Sequence, residues 1–167
     1  MRKHLWLRVI SCLITAGVSA CVQDPTVPKV ETEPPVELTV TVSDSVYVMG
    51  GTPDTITVTL VNTLNQTIEL DFPTLCQIQI FIRDATNHVV VPKGGSYICG
   101  PVPTTLTMAA NTLQKDEFEW TGGQGFTAPD SDTKVPAGNY FVWAEIHASN
   151  YSTVAFPVKI RVAATAP

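Results

Sequence analysis

The chain has 167 residues, of which 44% are hydrophobic and 15% are charged, and its formal net charge is −5. This length and composition fit one folded domain with extensions and allow an ordinary hydrophobic core. The acidic balance and the scarcity of Lys and Arg argue against a surface that binds phosphate backbones, so nucleic acid is not an expected partner.

Residues 1–20 have the layout of a secretory signal peptide. Arg2, Lys3 and Arg8 supply positive charge, and the apolar segment "VISCLITAGVSA" ends in small residues. This segment is shorter than the roughly 20 apolar residues that a membrane-spanning helix needs. Removal of residues 1–20 takes away three of the ten basic residues and none of the 15 acidic ones, which leaves a net charge of −8.

Cys21 follows this segment directly and allows two processing outcomes. Val18 and Ala20 fit ordinary signal-peptidase cleavage before Cys21. The tetrapeptide "VSAC" also resembles the bacterial lipobox, and this resemblance implies that the Cys21 thiol receives a lipid and becomes a membrane anchor. Val22 is not the Asp that retains diderm lipoproteins in the inner membrane, so the resemblance favours the outer membrane. The expected location is the bacterial cell envelope.

Residues 21–36 are expected to form a lipidated cysteine and a proline-rich linker. The segment "VQDPTVPKVETEPPV" contains four prolines and little bulky apolar content. Such a sequence buries too little surface to fold and tends to be extended, with a reach of up to roughly 45 Å. An irregular arm packed on the following domain is the alternative.

From residue 37 onward, apolar and polar residues alternate with period two, the pattern of strands that have one buried face. Turn-forming segments such as "GGTPD", "KGG" and "VPAGN" separate the alternating stretches. The pattern predicts an all-β domain over residues 37–163, an immunoglobulin-like antiparallel β-sandwich of seven to nine strands. The alternating stretches are "ELTVTVS", "TITVTLVN", "TIELDF", "QIQIFIRD", "HVVV", "TTLTMA", "DEFEWTG", "NYFVWAEIHA" and "STVAFPVKIRV".

The last two stretches make specific predictions about side-chain direction. In "NYFVWAEIHA" one face is expected to hold Tyr140, Val142, Ala144 and Ile146. The final stretch is expected to be one continuous strand, with Val154, Phe156, Val158, Ile160 and Val162 on a common face.

Cys76 and Cys99 remain after the signal peptide and Cys21 are set aside. In an exported protein such a pair is readily interpreted as a disulfide. A bond would close a loop of about 24 residues and stabilise the fold by about 3 kcal/mol on a chain-entropy argument. Two free buried thiols and metal ligation are the alternatives, although His88 has no suitably spaced ligand beside it.

Motifs that carry catalytic chemistry are missing from the sequence. No nucleophile elbow of the form G-x-S-x-G is present, and "TGGQG" reads as a turn because no helix pattern follows it. Glu117 and Glu119 share the wet face of a strand, and His147 lies at an outward position, so each is expected to be an ordinary surface residue. The sequence therefore predicts a protein that is not an enzyme, with no metal site and no cofactor.

Four segments in order resemble the BsuPI-type intracellular proteinase inhibitor domain: "VTLVNTLNQTIELDF", "QIQIFIRDATNHVV", "LTMAANTLQKDEFEW" and "VPAGNYFVWAEI". The resemblance spans about residues 55–150 and implies an immunoglobulin-like sandwich and, as an activity, binding of a proteinase. Asn87 stands where a turn glycine would be usual in this family. The residues at the family's pattern positions are Asn62, Phe72, Asp84, Trp120, Pro136, Gly138 and Tyr140.

The first functional hypothesis is an envelope lipoprotein whose sandwich binds another protein. Its specific form is inhibition of a proteinase by occlusion, in which a loop enters the cleft of the enzyme. The candidate loop is "PKGGSYICGPVP", residues 92–103, with Tyr97 and Ile98 as the inserted side chains. The alternative for this loop is that it covers a sheet edge.

The second hypothesis is a structural, adhesive or carbohydrate-binding module of the envelope without inhibitory activity. Phe141 and Trp143 lie two residues apart on one strand face and are the candidate aromatic platform for a sugar. The alternative is that both rings are buried between the two sheets.

Overall fold

The computed structural model describes residues 34–164. The predicted signal peptide, Cys21 and residues 22–33 of the predicted linker lie outside the described residues. Glu33–Pro167 forms a compact unit of its own. Among residues 34–164, no helix is long and apolar enough to cross a membrane. The strands are β1 (Val36–Val42), β2 (Val46–Val48), β3 (Asp54–Asn62), β4 (Ile68–Phe72), β5 (Gln79–Asp84), β6 (Val89–Val91), β7 (Thr104–Met108), β8 (Leu113–Trp120), β9 (Gly138–Ala148), β10 (Tyr151–Val154) and β11 (Val158–Ala163).

These strands form two main sheets and a small one. The first sheet has the order β1-β3-β8, and the second has the order β2-β11-β9-β5-β6, with β10 also paired to β9. Strands β4 and β7 pair with each other. Buried side chains from all three sheets belong to one hydrophobic core. This arrangement confirms the predicted all-β, immunoglobulin-like sandwich.

The alternation predicted the core of the long strands correctly. Ile56, Val58 and Leu60 of β3 are fully buried, while the threonines between them are not. In β9, Tyr140, Val142, Ala144 and Ile146 all have at most 3% of their surface exposed. Period-two burial is therefore a reliable guide where a strand runs for eight or more residues against an open sheet face.

The described residues contain eleven strands rather than seven to nine, and β2 is one that the sequence did not reveal. It has three residues, too few to show an alternation, and it pairs with β11 in parallel, whereas the other paired strands are antiparallel. Tyr47 at its centre is 4% exposed, and its hydroxyl donates to the carbonyl oxygen of Thr121 at 2.6 Å. β2 forms through contacts with residues that are distant in sequence, so the local sequence does not predict it.

The predicted continuous final strand is wrong, because the chain divides into β10 and β11. Val154 pairs with Glu145, and Val158 pairs with Val142. Between these two pairs the chain of β10 and β11 advances four residues while β9 advances three, so one extra residue is inserted. Such a one-residue bulge reverses the direction of the following side chains. Pro157 favours the interruption because it has no N–H to donate to a ladder.

The bulge changes which side chains of this region are buried. Ala155 faces the core with 2% of its surface exposed, and its N–H donates to the carbonyl of Ala144. Val154 is 55% exposed and Phe156 is 93% exposed, although both were expected on the buried face. Ile160 and Val162 of β11 are buried as predicted.

Asn62 closes the end of β3 with a buried hydrogen-bond network. Its side-chain nitrogen donates to the carbonyl oxygens of Gln66, Met108 and Ala109, at 2.9, 3.2 and 2.9 Å. Its side-chain oxygen accepts from the N–H of Leu64 at 3.0 Å. One amide therefore satisfies backbone groups from two loops where the strand ladder stops, which is why a polar side chain with no exposed surface is tolerated here.

The turn between β5 and β6 is fixed by Asp84 and Asn87. The Asp84 carboxylate accepts from the Thr86 hydroxyl at 2.7 Å and from the His88 N–H at 3.0 Å, and these bonds hold its pKa below the usual value. Asn87 has a φ of 69°. Asparagine adopts this left-handed conformation more readily than most residues, so it serves where glycine would be usual.

Candidate functional site

The disulfide between Cys76 and Cys99 is present, which confirms the pairing and removes the alternatives of free thiols and metal ligation. It ties the segment before β5 to the loop between β6 and β7, residues 92–103, here named the disulfide loop. Backbone bonds add to this attachment: the Leu75 N–H donates to the Gly100 carbonyl at 3.1 Å, and the Lys93 N–H donates to the Gln124 carbonyl at 2.8 Å. The loop is therefore fixed from both sides.

Tyr97 is an anchor of the disulfide loop, which corrects its prediction as an inserted side chain. Its hydroxyl donates to the carbonyl oxygen of Ile80 at 2.5 Å, and its ring meets Phe81 edge-on with 5.5 Å between centroids. Burial raises the pKa of Tyr97 to about 12, so the hydroxyl stays protonated and able to donate at neutral pH. The pairing of β5 with β6 involves Ile82 and Arg83, so Tyr97 covers the part of β5 that β6 does not reach.

Ile98, by contrast, projects fully from the loop. Its exposed fraction is 102%, and two other apolar side chains near the disulfide, Leu75 and Val102, are 57% and 52% exposed. A large aliphatic side chain that is held in water by a rigid backbone loses the free energy that burial would provide. Tyr97 therefore covers a sheet edge, which was the alternative for this loop, and Ile98 is exposed to solvent.

A groove of about 500 Å³ lies beside Ile98, between the disulfide loop and residues 124–130. Its walls come from both main sheets, because Ile80 belongs to β5 and Phe118 to β8. Lys93 and Asp130 form an ion pair across 3.4 Å at its polar margin. The apolar lining consists of Ile78, Ile80, Val91, Ile98, Phe118 and Phe126. A groove of this size and polarity suits an apolar side chain of a partner more than a charged ligand.

The sequence did not predict this groove. Phe118 lies between Glu117 and Glu119, which were expected on the wet face of their strand, and Phe126 follows the predicted turn "TGGQG". The two rings meet with 5.8 Å between centroids because the segment after β8 folds back towards the disulfide loop. Their sequence signal is a pair of aromatic residues around a glycine-rich turn, which does not by itself distinguish a groove from ordinary packing.

The predicted platform of Phe141 and Trp143 is not formed. Both residues lie on the outer face of the second sheet, as their spacing requires, and so they are not buried between the sheets. Trp143 is nevertheless only 5% exposed, because Phe81 stacks on it at 5.2 Å and the Arg83 guanidinium lies 3.9 Å from its ring centre. Phe141 is left as the partly exposed ring of the pair, at 37%.

The polar side chains considered for catalytic or metal-binding roles lie at the surface of the described part of the chain. His147 is exposed and lies 2.8 Å from Glu145, whose other oxygen accepts from the Trp143 indole at 2.7 Å. Glu117 and Glu119 lie on the exposed face of β8. Among residues 34–164, no group of three or more His, Cys, Asp or Glu side chains is arranged to hold a metal ion.

No protein-family model matches the chain, and no curated protein matches it. Among solved structures, it is similar to a β-glucosidase from Erythrobacter marinus, with 13% identity and a TM-score of 0.44 over 77% of this chain and 15% of that one. It is also similar to a β-glucosidase from Listeria innocua in complex with glucose, with 15% identity and a TM-score of 0.41 over 78% of this chain and 16% of that one. The periplasmic chaperone SfaE shows 15% identity and a TM-score of 0.32 over 75% of this chain and 56% of that one. The chain thus spans about one sixth of the β-glucosidase chains that it matches.

Proposed function

We propose that this protein is a lipoprotein of the bacterial cell envelope whose sandwich binds another protein through the disulfide loop and the adjacent groove. The observation that carries the proposal is the full exposure of Ile98 on a loop held by the disulfide and by Tyr97. A loop that is already ordered loses little conformational entropy on binding, so its exposed apolar contacts contribute more of their free energy to affinity.

The specific form of the proposal is inhibition of a proteinase by occlusion. Ile98 would enter a recess of the partner, and an apolar side chain of the partner would enter the groove. The exposed apolar residues near the disulfide, Leu75, Ile98 and Val102, would contribute to an interface of about 1,600 Å² in total, the usual size for such complexes. The support for a proteinase as partner is the resemblance to the BsuPI-type domain over residues 55–150.

Replacement of Ile98 by aspartate is expected to weaken binding of the partner at least about 30-fold, the effect of losing a central apolar contact worth about 2 kcal/mol. Leu113→Asp is the matched control, because Leu113 is also exposed, at 58%, but lies at the far end of β8 from the groove. The partner is first captured by placing a photo-crosslinking residue at position 98 of the lipidated protein in whole envelopes. A second crosslinker at the exposed Thr39 of β1 reports nonspecific contact.

Adducts that form from position 98 and not from position 39 would support the proposal, and a proteinase among them would support occlusion. Adducts with envelope scaffolding proteins alone would favour the structural or adhesive alternative. Equal labelling from both positions, or unchanged affinity of the Ile98→Asp variant, would remove the disulfide loop from the interface.

The proposed anchor is a lipid on Cys21, supported by the "VSAC" sequence directly after an apolar segment. More than one acyl chain is needed for stable attachment, since each buried CH₂ contributes about 0.8 kcal/mol. Cys21→Ala is therefore expected to move the protein from the membrane fraction to the soluble fraction after a high-salt wash. Cys12→Ala is the control and should leave the protein on the membrane. Retention of the Cys21→Ala variant would contradict the anchor.

A further inference from the structure

The bulge between β10 and β11 creates an exposed apolar patch on the second sheet. The patch, here named the bulge patch, consists of Phe141, Val154, Phe156 and Pro157. Val154 and Pro157 line a shallow pocket with Phe141 on one side and a groove beside β1 with Phe156 on the other. Phe156 is its most prominent member, with 93% of its surface exposed. Phe156 protrudes from the protein surface, whereas the apolar side chains of the groove near Ile98 line a depression. A protruding aromatic side chain of this kind can insert into a deformable surface.

Basic residues surround this patch although the protein as a whole is acidic. The described residues 34–164 contain six Lys and Arg residues, and three of them, Arg83, Lys159 and Arg161, lie on the outer side of the second sheet. Lys159 and Arg83 both pair with Phe141 in the strand register, one from each neighbouring strand.

The negative charge near the patch is limited and partly engaged. The Glu145 carboxylate on the same face is bound by the Trp143 indole and lies 2.8 Å from His147. Glu37 of β1 lines the same groove as Phe156 but belongs to the other sheet, whose exposed positions also include Glu117 and Glu119. Three of the six cations of the described residues thus lie on the sheet that carries the most exposed aromatic side chain.

The start of the described chain lies beside the bulge patch, and this indicates which surface the patch would meet. Pro34, the first described residue, and Phe156 line the same groove of about 360 Å³. Pro34 lies 13 positions after Cys21, so the chain between them spans at most about 45 Å. A lipid on Cys21 would therefore hold the bulge patch within reach of the membrane surface at a high effective concentration.

We propose that the bulge patch docks on an anionic membrane surface, with Phe156 at the level of the headgroups and Lys159 and Arg161 against their negative charge. The inference rests on the proposed lipid anchor for the proximity of the membrane. Interfacial aromatic residues and clustered cations are the two components of reversible attachment to anionic lipid, and a second signal of this kind reinforces acyl anchoring. Docking would orient the sandwich on the membrane and leave the disulfide loop free on the other sheet edge.

The test uses residues 22–167, which contain the whole compact unit Glu33–Pro167 with its core and disulfide. An N-terminal histidine tag attaches this chain to vesicles that contain a nickel-chelating lipid, in place of the acyl anchor. Phe156→Trp serves as the reporter, with quenching by brominated phospholipid as the readout, and Leu113→Trp on the other sheet is the matched control. Vesicles with phosphatidylglycerol are compared with vesicles of phosphatidylcholine.

We expect tryptophan at position 156 to be quenched in vesicles that contain phosphatidylglycerol and tryptophan at position 113 not to be. Lys159→Glu together with Arg161→Glu should lower the ratio of docked to undocked chains at least about 30-fold, since each cation near such a surface contributes about 1 kcal/mol. Equal quenching at positions 156 and 113 would overturn the proposal. A blue-shifted emission at position 156 without lipid would also overturn it, because the patch would then be covered within the protein.

The result of this experiment does not depend on whether the proposed function is correct. Attachment through the tag removes any dependence on lipidation of Cys21, and Ile98 is unaltered. An absence of docking would leave the predictions for Cys21 and Ile98 as they stand. If docking is seen and the Cys21→Ala variant also stays membrane-bound, the bulge patch is a mode of attachment separate from the lipid.

Discussion

Replacement of Trp120 by alanine is expected to destabilise the fold by about 4 kcal/mol, as for other large aromatic residues removed from a core. Trp120 has no exposed surface, and its ring packs at a tilt against Tyr47 with 5.4 Å between centroids. Its indole N–H donates to the Gly123 carbonyl at 2.8 Å inside the protein. The substitution would leave a cavity and an unpaired carbonyl next to the pairing of β2 with β11.

Urea unfolding followed by circular dichroism measures this effect in the protein with its disulfide intact. Leu113→Ala on the same strand is the control and should change the free energy of unfolding by no more than about 0.5 kcal/mol, because Leu113 is 58% exposed. Trp120→Phe keeps most of the packing and should cost less than the alanine variant, with the loss of the indole hydrogen bond as its main component. A cost of about 1 kcal/mol or less for Trp120→Ala would contradict the assigned core position.

Loss of the disulfide through Cys76→Ser together with Cys99→Ser is expected to cost about 3 kcal/mol, by release of the chain-entropy constraint on the unfolded state. The two residues are 23 positions apart in sequence, and their bond fixes the disulfide loop that presents Ile98. Binding of the partner should also weaken, because without the disulfide the loop must be ordered when the complex forms. Affinity for the captured partner should fall even where the sandwich stays folded.

The measurement compares unfolding of the native protein and of the double serine variant, each with and without a reducing agent. Reduction should destabilise the native protein by about the same 3 kcal/mol and leave the variant unchanged. If the double variant unfolds at the same urea concentration as the oxidised native protein, the bond contributes no stability. If it binds the partner with unchanged affinity, preorganisation of the loop is not part of the interface.

The residues that carry the BsuPI resemblance have structural roles in this protein. Asn62 satisfies backbone groups at the end of β3, Asp84 holds a turn, and Trp120 fills the core. The Tyr140 hydroxyl donates to the Pro136 carbonyl at 2.7 Å and so fixes the start of β9. Because these positions build turns and core, the resemblance bears mainly on the fold. The proposed binding surface rests on Ile98 and the groove, which are outside that set, and only the choice of a proteinase as partner rests on the resemblance.

The candidate site was partly predictable from the sequence. The expected export of the chain made the pairing of Cys76 with Cys99 a natural prediction, and the disulfide confirms it. The sequence could not show which of Tyr97 and Ile98 projects, since that depends on whether a carbonyl of β5 lies within reach of the tyrosine hydroxyl. It also could not show the groove, whose walls Ile80 and Phe118 come from different sheets.

Alternation of side chains by itself determined the all-β class, the sandwich and most of the core, because a period of two follows from strand geometry and needs no knowledge of partners. Tertiary structure alone decided β2, the bulge before Pro157 and the exposure of Phe156, because each depends on pairing with a distant strand. It also decided that Trp143 is covered and Ile98 is not. The alternating pattern of a strand predicts which side of a sheet a residue faces. Whether that side is exposed to water depends on the neighbouring segments of the folded chain.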